Sequence, residues 1–233
     1  MVDIVAEARS HLKNLSKKDG LTTGKVRTIS AVLYKALEDK SIDHVLVLCE
    51  RLLEEREWAF GIIAYDWAYR TRKQYKSDTF YIFEGWLKKY VTDWGDCDDF
   101  CTHAFGELLC QYDEWFENVV KWTENPDFWV RRAAAVVLIY PIKHHKHQNM
   151  KPFLIADALM KDPHYLVLKG YGWMLKVLSQ IEADNVYDYL KKNKEIMPRV
   201  SYRYALEKFD KNVRASLMEG KSKWENNNDG KIT

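Results

Sequence analysis

The chain of 233 residues is 47% hydrophobic and 30% charged, enough apolar matter for one large core or an extended series of small ones. A formal net charge of +2 excludes the strongly basic balance of many nucleic-acid binders and leaves only a local basic face. No segment approaches the ~18 consecutive apolar residues of a membrane span, and the opening "MVDIVAEARSHLKNLSKKDG" has no export signal's apolar core.

Taken in chain order, the runs "IDHVLVLCERLLEE", "WAFGIIAYDWAYRTRK", "FYIFEGWLKKYV", "EWFENVVKWTE" and "VYDYLKKNKEI" carry apolar residues at spacings of three and four. None alternates as a strand would, so the spacing predicts an all-α chain of roughly a dozen helices. The nine Trp and 14 Tyr are read mainly as core. Cys49, Cys97, Cys101 and Cys110 lack a disulfide spacing and read as reduced thiols of a cytoplasmic protein. Cys97 and Cys101 stand one helical turn apart with His103 nearby, but ordinary helical cysteines are favoured over a metal site because four spaced ligands are not evident.

The segment "VTDWGDCDDFCTHAFGELLC", residues 91–110, concentrates Asp93, Asp96, Asp98 and Asp99 at a predicted helix start. Acidic residues there cap free N–H groups and face the positive end of the helix dipole. Four within seven residues exceed that need and raise one another's pKa.

Further along, "NPDFWVRRAAAVVLIY" and "DPHYLVLKGYGWMLKVL" align without gaps from Pro126 and Pro163, and "MPRVSYRYALEKF" extends the series from Pro198. Each proline fits a first helical turn, with Asn125 or Asp162 as the cap before it. The period leaves room for one more helix per repeat. Such pairs bury their apolar faces only by stacking, which predicts a curved solenoid of HEAT-like antiparallel helix pairs over a single domain, 1–219. Residues 41–54 with 56–73, and 78–92 with 96–111, fit the same rhythm less exactly. Residues 220–233 are polar and aperiodic and are expected to be a disordered tail.

Equivalent positions of a stacked repeat form stripes. Arg132 and Lys169 each lie six residues after a repeat proline, and Arg131, Lys176 and Arg203 sit on the same helices, a candidate basic track whose alternative is a solvated charged face. Gly170 and Gly172 in mid-helix imply close packing or close approach of a ligand. The cluster "KHHKHQ", 143–148, reads as a polar inter-repeat loop.

Three motifs bring a resemblance: "DWGDCDD", "FWVRRAAAV" and "LVLKGYGWMLKVL" resemble the tryptophan–aspartate, "WxxRAA" and "KAIGWxLR" segments of the HEAT-like-repeat DNA alkylation repair family, whose AlkD-type members are alkylpurine DNA glycosylases. With "REWAFGIIAYDW" and the helix after "DGLTTGKVR", the likeness covers roughly residues 15–215. It implies Asp99 as the catalytic carboxylate, Arg132 as a DNA-backbone contact and Trp173 as an indole against the lesion-bearing nucleotide. The sequence departs from the family at Gly95, where active members have a second tryptophan beside Trp94, and at Lys176, where they have arginine.

The resemblance implies a monofunctional glycosylase that excises cationic N3- or N7-alkylated purines from double-stranded DNA as a monomer, with no metal or other cofactor and no deep base-flipping pocket. Such a purine is already a good leaving group, so the enzyme's task is electrostatic stabilisation of an oxocarbenium-like sugar and capture by a held water. Asp99 is the candidate for both tasks, Asp96 for support, Trp173 and Trp94 for aromatic faces, and Arg132, Lys169, Lys176 and Arg131 for the DNA backbone. Two alternatives stay open: a non-catalytic DNA-binding paralogue, which Gly95 favours, and a HEAT-type protein-interaction scaffold, which the modest charge favours.

Overall fold

Helices are the regular elements of the chain, and no strand occurs among the described residues. The structure, a computed structural model, describes residues 3–219, the side chains of 15–19 excepted, and the tail expected at 220–233 lies outside the described residues. Two compact units divide the chain, one ending at Trp115 and one beginning at Phe116. The all-α class and the organisation into helix pairs hold as read from the sequence. No described helix is long and apolar enough to cross a membrane.

The first unit contains α1 (Ile4–Asp19), α2 (Thr23–Ala36), α3 (Ile42–Glu54), α4 (Trp58–Arg70), α5 (Thr79–Tyr90), α6 (Trp94–Phe100) and α7 (Gly106–Gln111). Helix α4 is apolar on nearly every face, so it lies at the centre, packed on α2, α3 and α6. Its Trp67 indole donates to the Ser30 carbonyl of α2 at 3.0 Å, and Tyr65 stacks on Phe100 of α6 with ring centroids 4.6 Å apart. Phe83, Phe100 and Phe105 continue that aromatic core edge to face or tilted. Trp67, Trp86, Trp122, Tyr65, Tyr75, Tyr90, Tyr140, Tyr171 and Tyr202 are buried, whereas Trp58, Trp94 and Tyr81 stay exposed.

The second unit contains α8 (Phe116–Trp122), α9 (Phe128–Val136), α10 (Ile139–Lys143), α11 (Pro152–Ala158), α12 (Tyr165–Leu178), α13 (Ala183–Lys192), α14 (Arg199–Leu206) and α15 (Lys211–Met218). Helix α12 is central and packs on both α9 and α14, so the helices that follow Pro126, Pro163 and Pro198 do stack in order. The capping differs from expectation. Asp127 and His164 cap α9 and α12 by accepting from Trp129 and Leu166 N–H, one residue after each proline. Asn125 and Asp162 instead accept from Asp127 and His164 N–H at 2.9 and 2.8 Å, a turn that fixes each cap. Pro198 is itself the residue before α14. Within the cluster at 143–148, His147 is buried and meets Glu182 Oε1 at 2.8 Å, so it ties two segments together rather than lying in a solvated loop.

The mid-helix glycines are explained by packing. A Cβ on Gly172 would stand 2.8 Å from Ser201 Cα on α14, and one on Gly170 would press on the Arg132 side chain at 3.3 Å. Gly172→Ala is therefore expected to destabilise by about 1–3 kcal/mol, because backbone must move to admit the methyl. Gly85→Ala, in mid-α5 with open space around it, is expected to stabilise by ~0.5–1 kcal/mol. Urea midpoints of the two variants check the contrast, and a Gly172→Ala midpoint equal to wild type refutes the close-packing reading.

Candidate functional site

The acidic segment resolves into different tasks. Asp93, extended at φ −140°, caps α6 by accepting from the Asp96 N–H at 2.9 Å. The cap of α6 is therefore Asp93. Asp96 turns inward toward α4, its Oδ1 lying 3.2 Å from where a Gly61 Cβ would stand. Burial, then the charges of Asp93 and Asp99, push its carboxyl up to about 7, against a bond from the Thr92 backbone that lowers it. Tyr65 Oη, buried and with no hydrogen-bond partner among the described residues, shares a cavity of about 50 Å3 with Asp96 and Thr92. Asp98 lines a larger outer cavity.

Asp99 lies in the last turn of α6, and directly after Phe100 the segment Cys101–Phe105 forms a π turn, with the Gly106 N–H reaching back to the Cys101 carbonyl. Such turns are frequent at functional sites because they displace the helix face. The Asp99 side chain, 14% exposed, is ion-paired with the Arg27 guanidinium of α2. His103 Nδ1 lies 2.9 Å from the Asp99 carbonyl oxygen and 3.5 Å from its Oδ1. A carbonyl only accepts, so this contact assigns the proton to Nδ1. Burial drives the Asp99 carboxyl above its ordinary range, while the Arg27 and His103 charges pull it back down.

These groups open onto a cavity of about 550 Å3 lined by Trp58, Trp94, Gly95, Asp98, Asp99 and His103 among others. Trp94 is 63% and Trp58 37% exposed, unusual for indoles and placed on the wall of a carboxylate-bearing cleft. The arrangement suits a flat cationic group, which an anion and aromatic faces attract together.

In the second unit Arg132 is buried, donates to the Leu166 carbonyl and lies along Gly170. Arg131 pairs with Asp162 at 2.6 Å and donates to the Asn125 and Pro126 carbonyls. Lys169 Nζ sits over the Tyr165 ring, 4.7 Å from its centroid, and Lys176 is ion-paired with Glu207. Trp173 is half-buried on α12. Asp99 and Trp94 therefore line one cavity of the first unit, Asp96 turns into a separate small one, and Arg131, Arg132, Lys169, Lys176 and Trp173 occupy the packed helices α9 and α12 of the second.

Sequence reasoning assigned no role to Arg27 or Trp58 and weighed His103 only as a metal ligand. His103 was within reach, four residues after Asp99 on the same helical face. Arg27, 72 residues from Asp99, had no local signal. Cys97 and Cys101 are fully buried thiols, and no three His, Cys, Asp or Glu side chains among the described residues are grouped to hold a metal ion.

A neutral Asp96 has a measurable consequence. Its carboxyl binds a proton more tightly folded, at about 7, than at its ordinary 3.8, so it lowers stability as pH rises from about 4 through 7. Asp96→Asn is expected to gain about 1–2 kcal/mol over wild type at pH 8 and little at pH 4, the partial exposure discounting the full shift. Urea denaturation at both values checks it, and a gain independent of pH contradicts the assignment.

A family model for DNA alkylation repair enzymes matches residues 3–209. A solved structure described as "Predicted DNA alkylation repair enzyme from Enterococcus faecalis" is similar to this chain, with a TM-score of 0.67 and 16% identity over 90% of this chain and 96% of that one. At that identity the likeness is one of fold. No curated protein matches the chain.

Proposed function

From the premise that this chain belongs to the DNA alkylation repair enzyme family, we propose that it is a monofunctional DNA glycosylase excising cationic N3- or N7-alkylated purines from double-stranded DNA. The observation that carries this reading is the Asp99 carboxylate, held by Arg27 and His103 at an aromatic-walled cavity of about 550 Å3. A DNA repair role follows from the family. The chemistry is argued from the site.

In the proposed reaction the bond between sugar C1′ and the purine nitrogen breaks first, and its electron pair leaves with the base and cancels the base's positive charge. The sugar is left as an oxocarbenium ion. An ionised Asp99 lowers the energy of that cation and orients a water, whose oxygen bonds C1′ and whose proton passes to the carboxylate. Arg27 opposes the rise that burial imposes on the Asp99 carboxyl and so favours its ionised form, while its charge also tempers the carboxylate. Asp96, neutral at pH below about 7, adds no negative charge beside Asp99 there.

In the second unit Lys169 and Lys176 are proposed to position the DNA backbone, whereas Arg132 and Arg131, buried or bound to Leu166, Asp162, Asn125 and Pro126, serve the packing of their own unit. Lys176 would exchange Glu207 for a phosphate, and the counterions released make binding salt-dependent. The test is release of 3-methyladenine or 7-methylguanine from methylated duplex by the purified protein. The Arg27–Asp99 pair favours a second reading, a DNA-binding paralogue with its carboxylate neutralised. Lesion-selective binding with no base release selects it.

A further inference from the structure

We propose that Trp58, at the first position of α4, joins Trp94 as an aromatic wall of the Asp99 cavity and sets its preference for cationic over neutral planar bases. The inference deepens the glycosylase reading and rests on it for the ligand class. Trp58 and Trp94 belong to different helices, yet both line the same cavity as Asp99. The contact that joins them is at Gly95. A Cβ there would lie 3.8 Å from Trp58 Nε1 and 4.0 Å from its Cδ1, so the pyrrole edge of the indole rests on the residue next to Trp94.

A Cβ at Gly95 would press on Asp93 Oδ1, the α6 cap, at 3.1 Å, while its distances to Trp58 are those of ordinary van der Waals contact. Trp58 stays 37% exposed rather than folding into the core beneath it, where Phe60, Ile63 and Tyr65 of the same helix are buried. An aromatic held open beside a carboxylate attracts a charged ring more than a neutral one, because the ring quadrupole adds to the anion only when the guest is a cation. The absence of an indole at 95 is thereby offset from α4.

The test uses the full chain as wild type, Trp58→Leu, Trp58→Phe and Trp58→Leu with Gly95→Trp, each checked for folding by circular dichroism. Two readouts are taken: excision of 7-methylguanine from methylated duplex, and tryptophan-fluorescence quenching by free 7-methylguanosine against guanosine. Trp58→Leu is expected to raise KM for the methylated duplex and to lose discrimination between the two nucleosides by about 3- to 30-fold. Trp58→Phe should retain most of it, and the double variant should recover part, since the second indole then returns from α6. Excision by wild type with KM and discrimination unchanged in Trp58→Leu overturns the role of Trp58 and leaves the glycosylase reading standing. Trp58-dependent discrimination without excision upholds the wall and overturns the glycosylase reading, and neither activity in wild type overturns both.

Discussion

Asp99→Asn is expected to abolish base release from methylated duplex while leaving DNA affinity within a few-fold of wild type. The amide is nearly isosteric, so packing on α2 survives, and what disappears is the negative charge opposite a developing sugar cation. Removing one preorganised electrostatic partner typically costs about 10²–10³ in rate, and Asp99 is proposed also to orient the water, so the loss should reach at least that range. Single-turnover excision with wild type and variant side by side measures it. Release by Asp99→Asn at the wild-type rate removes Asp99 from the mechanism, and a parallel loss of binding would make its role structural.

Arg27→Met is expected to give the next largest effect, and one that depends on pH. Without the guanidinium, burial acts on Asp99 opposed only by His103, so the carboxyl titrates at higher pH than in wild type. The reaction needs the ionised form, and the acid limb of the pH–rate profile should move upward, with excision at pH 6 falling more than at pH 8.5. Breaking a buried pair costs up to about 3–5 kcal/mol. Here ~1–3 kcal/mol is expected, because the Arg27 side chain is 36% exposed. Arg27→Lys should restore part of both effects. A profile in Arg27→Met that drops uniformly at every pH would assign Arg27 to stability alone.

The fold was largely legible because its signals are local. Apolar spacing of three and four reports a helix from its own neighbours, and the prolines at 126, 163 and 198 marked helices that do pack in series in the second unit. Even there the caps lie two residues later than expected, since Asn125 and Asp162 use their side chains to shape the turn and leave Asp127 and His164 to cap. Which aspartate caps depends on backbone dihedrals that a run of acids does not reveal.

By itself the sequence determined the helical class, the repeat rhythm and the concentration of carboxylates beside Trp94, because each is written in spacing along the chain. Only the tertiary structure decided how those carboxylates divide their work. Asp96 and Asp99 are chemically identical and three residues apart, and burial raises the carboxyl of both, yet one faces Gly61 of α4 with Asp93 and Asp99 adding to the rise while the other faces Arg27 of α2, whose charge opposes it. Charge state follows from the groups a side chain meets in space. For Asp99 that group lies 72 residues away in the chain.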